Sequence, residues 1–268
     1  MISELKAGSK SMLQVGRLIE EYELRRGVCS MSASIYDTAW VSMVSKMVEG
    51  KATWLFPSSF DYICGTQQGS GGWEGGDVID EIVNSLACLL SFKRHEKVDP
   101  EPSELADRID RATQFLTAKL ANFDSSNSER VAFEILIPSL LDLLELEGIS
   151  LQFPDAENLR KLNQIKMSKI NFALLYKYPS TMLHSLESFI GTIDFDKVSH
   201  HLVDGSMMGS PSSTAAYLMN ITEWDENAEK YLHEAIENGK RNGEGSVTNV
   251  FPISTFEFAW VTCPQGAL

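Results

Sequence analysis

The chain has 268 residues, of which 43% are hydrophobic and 22% are charged, and its formal net charge is −14. This composition is typical of a globular protein and excludes disorder of the whole chain. The negative charge repels nucleic acid and acidic membrane surfaces, and the only mixed basic run, KRHEK at 93–97, is too short to offset it. An anionic ligand would therefore need a few placed lysines or a divalent cation held by carboxylates.

The cysteines are widely spaced and match no zinc or redox motif, which indicates reduced thiols. The N-terminal residues carry mixed charges and have no apolar stretch of the kind found in signal peptides. The most apolar run, FEILIPSLLDLL, contains two acids and a proline, so it predicts a buried helix and not a membrane span. We therefore expect a soluble, cytoplasmic protein without a transmembrane segment.

Apolar residues recur with helical spacing along nearly the whole chain, and strand-like alternation is scarce, which predicts an all-α fold. Serine or aspartate caps mark several helix starts. In chain order the predicted helices are 3–24, one from Ser34 through TAWVSMV, one from Ser58, one after Asp77 to Phe92, one after Ser103, Glu129–Glu147 with a bend at Pro138, one from Ser210, and DENAEKYLHEAIENG to Gly239.

The stretch QQGSGGWEGG, at 67–76, has neither the spacing nor the lysine of a phosphate-binding loop, and its tryptophan argues against a flexible linker. It therefore predicts a turn that holds Trp73. A polar side chain, a glycine and a bulky residue recur at the same offsets in 201–207. The recurrence predicts two similar turns, each followed by a helix, and two unrelated turns are the alternative.

Six blocks stand out in chain order: SIYDTAWV (34–41), QQGSGGW (67–73), FEILIPSLL (133–141), PSTMLHSLE (179–187), DGSMMGSPSSTA (204–215) and TNVFPISTFEFAW (248–260). Their order resembles that of the class II diterpene cyclases, in particular the copalyl diphosphate synthases and the fungal bifunctional enzymes of kaurene type. The six blocks are specific together, although each would be weak alone. The resemblance implies a helical (α/α) barrel, the γ domain, over residues 28–268, and it assigns 1–27 to one helix of an incomplete β domain.

Enzymes of this family, which are isomerases of diterpenoid biosynthesis, protonate an alkene of geranylgeranyl diphosphate. Two rings then close through a carbocation, and loss of a proton gives copalyl diphosphate. The family's acid is a D-x-D-D motif, which this sequence does not contain, since Asp194 and Asp196 are followed by Lys197. The class I motif D-D-x-x-D is also absent from the sequence.

The deprotonating side is present. In the ent-type enzymes a histidine of L-H-S-L-E and an asparagine of P-N-V-x-P hold a water as the base, and the resemblance places them at His184 and Asn249. It also places the lysine that binds the diphosphate at Lys166, with Lys169 as its neighbour. A lysine is also a common solvated surface charge, and both interpretations stay open here.

The resemblance implies magnesium, which an acidic cluster before a G-F-E block helps to bind in plant relatives. This chain offers Asp124 and Glu129 near that block, and Ala132 replaces the family glycine. A second departure is Ser70, which replaces an acid that commonly precedes the glycine of the Q-x-x-x-G-x-W turn.

Three interpretations follow from these motifs. The chain is part of a copalyl diphosphate synthase and is inactive without the missing β domain, or it is a non-catalytic helical module that binds a prenyl diphosphate or a complete cyclase, or it is a prematurely terminated product without a function. We expect the apolar faces of the N-terminal helix and of FEFAW, at 256–260, to be exposed, which favours self-association.

Overall fold

The computed structural model describes residues 31–98, 103–127 and 130–253. These residues are mostly helical, so the predicted fold class is confirmed. The elements are α1 (Ile35–Ser42), β1 (Ser45–Val48), β2 (Lys51–Trp54), α2 (Pro57–Thr66), α3 (Val78–Val98), α4 (Ser103–Leu120), α5 (Phe133–Leu146), α6 (Ala156–Met167), α7 (Phe172–Leu175), α8 (Pro211–Asn220) and α9 (Glu226–Gly239), with short 3-10 segments at Ser125–Asn127, Thr181–Phe189, Phe195–His201 and Lys240–Asn242.

The helices form a closed ring with a second layer outside it. Helix α1 packs against α3, α3 against α5, α5 against the 3-10 segment Thr181–Phe189, that segment against α8, and α8 back against α1. Helices α2, α4, α6 and α9 each pack on one member of this ring. Fully buried side chains such as Trp40, Leu86 and Ile137 fill its centre. Closure of the inner ring is the arrangement expected of an (α/α) barrel.

Most of the predicted helix starts are confirmed. Ser34, Asp77 and Ser210 each accept hydrogen bonds from amides of the first turn of the helix that follows. The prediction at Ser58 is wrong, because α2 begins at Pro57 without a side-chain cap. The hydroxyl of the neighbouring Ser59 instead donates to the Gly245 carbonyl at 2.7 Å, so this serine joins distant segments of the chain.

Helix α5 is shorter than predicted at its N-terminus. It begins at Phe133, directly after Ala132, whose φ of 73° lies in the left-handed region and breaks the helical path. Pro138 lies inside the helix, as predicted, and the chain leaves the helix through Gly148 at a φ of 83°. Glu129, which the sequence pattern included in this helix, lies outside the described residues.

A two-stranded hairpin was not predicted. Strands β1 and β2 pair antiparallel around Glu49 and Gly50, both of which have positive φ, as a tight primed turn requires. Trp54 of β2 stacks on His95 of α3 with ring centroids 3.9 Å apart, and Phe60 stacks on the imidazole's other face at 3.8 Å. These contacts hold the hairpin against the barrel wall.

The two similar turns predicted from the sequence are confirmed. Gly71 and Gly205 have φ of 94° and 77°, and a Cβ at either position would overlap a backbone carbonyl, that of Arg111 in α4 or Asn227 in α9. Trp73 and Met207, two residues further along, are both fully buried. In both turns the glycine therefore lets the loop that precedes an inner helix touch the outer helix that follows it.

The polar residue of each turn forms a different contact. Gln67 donates from Nε2 to the carbonyls of Gly71 and Arg108, at 2.9 and 3.0 Å, and so ties its turn to α4. His201 is bonded through Nε2 to the Leu175 carbonyl at 2.9 Å. The indole N–H of Trp73 donates to the Ile63 carbonyl at 2.8 Å. The turn predicted to hold Trp73 is thus present although Ser70 replaces the usual acid.

Residues 1–27, which were assigned to a separate β-domain helix, lie outside the described residues, as does FEFAW. Self-association through those faces stays a prediction, and so does the domain boundary at residue 28.

Gly71→Ala should destabilise the fold by about 2–4 kcal/mol, because the substitution combines a left-handed alanine with overlap against the Arg111 carbonyl. Gly69→Ala is the matched control in the same turn, since a Cβ there meets no atom within 4 Å. Urea unfolding measures both, and the control should change the free energy by less than about 0.5 kcal/mol. Equal effects of the two substitutions would contradict this account of the turn.

Candidate functional site

Asp37 joins the first helix of the inner ring to the last one. Its Oδ2 accepts the hydroxyl of Ser34 at 2.6 Å, and its Oδ1 accepts the N–H of Ser212, in the first turn of α8, at 3.0 Å. Ser34 and Asp37 form only half of a capping box, because Ser34 accepts the N–H of Asp37 while the Ser34 N–H donates to the Val247 carbonyl. A carboxylate at a helix N-terminus is stabilised by the helix dipole, which favours this contact.

Glu187 is a second buried carboxyl at the same junction. It is 1% exposed, and its two oxygens accept the hydroxyls of Tyr36 in α1 at 2.9 Å and of Ser213 in α8 at 2.8 Å. Ser213 Oγ also accepts the N–H of Leu186 at 2.9 Å. Both the backbone and the side chain of this 3-10 turn are therefore fixed to α8.

Burial shifts the titration of both carboxyl groups. It raises the pKa of Glu187 to about 7, and the nearby Asp37 charge adds to the shift, while the hydrogen bonds from Ser213 and Tyr36 oppose it. Burial also raises the pKa of Asp37, against its hydrogen bonds from Ser34 and Ser212. Burial and the Asp37 charge both disfavour the ionised form of Glu187, so deprotonation of this carboxyl costs more than that of an exposed glutamate.

His184 lies next to this junction and is half buried. Its Nδ1 is 3.3 Å from the Met208 carbonyl oxygen, and a carbonyl can only accept, so Nδ1 carries the proton in this hydrogen bond. The basic nitrogen is then Nε2. A protonated His184 would favour the charged form of Asp37 and so oppose the rise in the pKa of that carboxyl.

Asn249 is exposed at the edge of a cleft of about 570 Å³. The same cleft is lined by Asp37, by the N-terminal ends of α3 and α5, and by Arg130, which pairs with Asp77 and Asp80. The N–H of Phe251 donates to the Gly209 carbonyl at 2.8 Å, which brings the segment that carries Asn249 beside the Met208 turn that His184 contacts. In the described part of the chain no direct hydrogen bond joins His184 to Asn249.

The two lysines lie apart from this cleft. Lys166, near the end of α6, pairs with Glu134 Oε1 at 2.7 Å, and Glu134 is a buried residue of α5. Lys169 follows α6 and is exposed. Neither lysine is among the described residues that line the cleft. Lys166 is thus more than a solvated charge, because it is the counter-ion of a buried carboxylate.

The chain is similar to known proteins in both sequence and structure. The chain is 44% identical over 252 residues to the phyllocladan-16-alpha-ol synthase of Phomopsis amygdali, which covers 90% of the chain and 25% of that protein. It is 45% identical over 253 residues to the copalyl diphosphate synthase of Talaromyces verruculosus, covering 92% and 26%. The crystal structure of the ent-copalyl diphosphate synthase of Arabidopsis thaliana, bound to an aza-analogue of geranylgeranyl thiolodiphosphate, superposes with a TM-score of 0.72 at 27% identity, over 94% of the chain and 35% of that one.

The chain is homologous to one part of the diterpene cyclases. The resemblance inferred from the six sequence blocks is confirmed. The chain spans about a quarter of the length of the diterpene cyclases that it matches. No protein-family model matches it.

The magnesium that diterpene cyclases imply has no matching donor set among the described residues, where no three His, Cys, Asp or Glu side chains converge. Asp124 is exposed, and its Oδ1 accepts the N–H and the hydroxyl of Ser126 at 2.9 and 2.6 Å. Glu129 lies outside the described residues. Magnesium binding by this pair stays a prediction, and no step proposed below uses the ion.

None of the described helices combines the length and the apolar character needed to cross a bilayer. A cytoplasmic location stays a prediction.

Sequence reasoning missed Tyr36, Glu187 and Ser213 as parts of the site. All three fall inside blocks that carried the resemblance. A usable signal was the acid in LHSLESFI, since a carboxylate within an apolar stretch needs buried partners.

Glu187→Gln should remove the loss of stability that Glu187 causes as pH rises above 4.5. The folded-state pKa of Glu187 is about 7, above its ordinary 4.5, so its contribution is fully present below pH 4.5 and is lost as pH rises through 7. His95 has the opposite effect on stability. Burial lowers its pKa to about 4, so its contribution to stability grows as pH rises from 4 to 6.5. The difference between variant and parent isolates Glu187.

We expect the free energy of unfolding of Glu187→Gln to rise by roughly 3 kcal/mol relative to that of the parent between pH 4.5 and 8, because glutamine keeps both hydrogen bonds without a charge. Urea unfolding at a series of pH values measures this difference. Glu223→Gln, at an exposed acid, is the control and should change the parent's curve by less than about 0.5 kcal/mol. A constant difference between Glu187→Gln and the parent would contradict the assignment.

Proposed function

We propose that this chain forms the proton-accepting part of a class II diterpene cyclase that converts geranylgeranyl diphosphate to copalyl diphosphate. The observation that carries the proposal is the contact of His184 Nδ1 with the Met208 carbonyl oxygen, at 3.3 Å. A proton on Nδ1 leaves Nε2 as an acceptor, and the Met208 turn lies beside the segment that carries Asn249. A neutral imidazole and an amide can orient a water beside a carbocation without adding a fixed negative charge.

The proton balance of this step is simple. A C–H bond next to the cationic carbon breaks, and its electron pair forms the new alkene of the bicyclic product. The water takes that proton and passes one of its own to His184 Nε2. Asn249 holds the water through its side-chain amide and does not titrate.

The first step needs an acid strong enough to protonate an alkene, and the family's motif for that acid, D-x-D-D, does not occur in this sequence. We therefore infer that the acid comes from another part of a complete cyclase and that the 268-residue chain alone does not turn over geranylgeranyl diphosphate. The missing acid motif also favours a second candidate function, a non-catalytic module that binds a prenyl diphosphate or associates with a complete cyclase.

We assign Lys166 to the diphosphate end of the substrate, with Lys169 as its neighbour. An ammonium group has three N–H donors, and in the described part of the chain Glu134 engages Lys166 through one contact. The buried Glu134 fixes the position of the lysine while donors remain for a phosphate oxygen. In the alternative assignment the pair only joins α5 to α6.

A chimera tests the assignment of His184. This chain replaces the homologous quarter of the Talaromyces verruculosus copalyl diphosphate synthase, and products from geranylgeranyl diphosphate are identified by mass spectrometry. His184→Ala should lower turnover by about 10²-fold or more, or divert the cation to a hydroxylated product, since the base is lost. His200→Ala, at an exposed histidine, should match the parent chimera.

An unchanged rate and product for His184→Ala would defeat the base assignment. The 268-residue chain is assayed beside the chimera. Turnover by the chain alone would contradict the inference that the acid is supplied from elsewhere. If the chain binds geranylgeranyl diphosphate but the chimera is inactive, the non-catalytic module is favoured.

In the same chimera, Lys166→Ala should raise KM by about 10-fold or more and change kcat by less than about 3-fold, because a charge-assisted contact to the diphosphate is lost in substrate and transition state alike. Lys161→Ala, at an exposed lysine of the same helix, is the control. Steady-state kinetics measure both. If Lys166→Ala lowers thermal stability but leaves KM unchanged, Lys166 is the structural partner of Glu134 only.

A further inference from the structure

The segment that carries His184 is bent directly after that residue. Ser185 has φ and ψ of −130° and 41°, which are not helical, so Thr181–Phe189 consists of two short 3-10 turns joined at a bend. The first turn ends at His184, and the second contains Glu187. The direction of the imidazole therefore depends on how the chain is held after the bend.

Glu187 supplies that hold. Its carboxyl group accepts hydroxyls from two neighbouring elements of the inner ring, Tyr36 of α1 and Ser213 of α8, and Ser213 also accepts the N–H of Leu186. The opposite side of the segment packs on α5, whose acids Glu134 and Asp142 pair with lysine and arginine of α6. Glu187 is thus the acid that fixes the second turn to α1 and α8.

We propose that Glu187 is a positioning residue for His184. By fixing the chain after Ser185, it keeps the imidazole Nδ1 against the Met208 carbonyl and so leaves Nε2 as the basic nitrogen. The Met208 turn belongs to the same frame, since the N–H groups of Met207 and Gly209 are bonded to Thr214 and Ser206 at 2.9 and 2.7 Å. This inference rests on the role proposed for His184.

The test reads the imidazole itself and needs no catalysis. The 268-residue chain is labelled with nitrogen-15 at histidine, and the ring shifts of His184, assigned with His184→Gln, report its tautomer at pH 8. The parent should show the Nδ1–H form. Glu187→Ala should lose that preference, and Glu187→Gln should restore it, because glutamine can accept from Tyr36 and donate to Ser213.

Ser188→Ala is the matched control in the same turn, since the buried Ser188 hydroxyl has no hydrogen-bond partner among the described residues. It should leave the His184 tautomer unchanged. If Glu187→Ala does not fold, Tyr36→Phe removes one of the two hydrogen bonds to Glu187, and Ser213→Ala removes the other together with the acceptor of the Leu186 N–H. Either variant should reduce the Nδ1–H population.

The proposal would be overturned if His184 kept the parent tautomer in Glu187→Ala. If Glu187→Ala does not fold, the parent tautomer in both Tyr36→Phe and Ser213→Ala would overturn it. An equal change of tautomer in Ser188→Ala would also overturn it. The outcome is separate from that of the chimera. A shifted tautomer together with an unchanged product in the His184→Ala chimera would support the positioning role and reject the catalytic one.

Discussion

The barrel closes through two buried carboxyl groups. Asp37, near the start of the described chain, accepts an amide of α8 that lies 175 residues away, and Glu187 also connects α1 to α8. A buried carboxyl is tolerated only when its oxygens are hydrogen-bonded, and here each of the four oxygens has a donor. The position of His184 and the shape of the neighbouring cleft both depend on this junction.

The rest of the barrel is held by close backbone contact. Gly71 and Gly205 press against carbonyls of the outer helices α4 and α9, and the buried residue two positions later anchors each turn in the core. The same solution is used twice because each inner helix must start beside the outer helix that follows it. These turns carry no chemistry of their own, but they set the separation of the layers that frame the site.

Local patterns predicted much of this fold, and the reasons are physical. Helix periodicity and the caps at Ser34, Asp77 and Ser210 depend on neighbours within four residues, so the sequence contains them. The hairpin was missed because its turn uses Glu49 before Gly50 in place of the more common asparagine or aspartate. The cap at Ser58 was wrong because Pro57 takes the first helical position and puts Ser58 inside the helix. Ser59 donates to Gly245, a partner 186 residues away that no local pattern reveals.

The residues of the candidate site were also predicted only in part from local sequence. The sequence blocks led to His184 and Asn249, yet the tautomer of His184 depends on Met208, and its support depends on Glu187, Tyr36 and Ser213, which are brought together only by ring closure. Lys166 was found by counting along the chain, but its pairing with the buried Glu134 required the packing of α5 on α6.

The closure of the barrel depends most directly on the burial of one carboxyl group, that of Glu187. Carbon-13 detection of the side-chain carboxyl of Glu187 in the folded chain, assigned by its loss in Glu187→Gln, measures that group's titration without reference to stability or activity. The structure predicts a midpoint near pH 7, raised by burial and by the neighbouring Asp37. A midpoint at the ordinary glutamate value of about 4.5 would mean that the junction is open to water, and the central claim would be wrong.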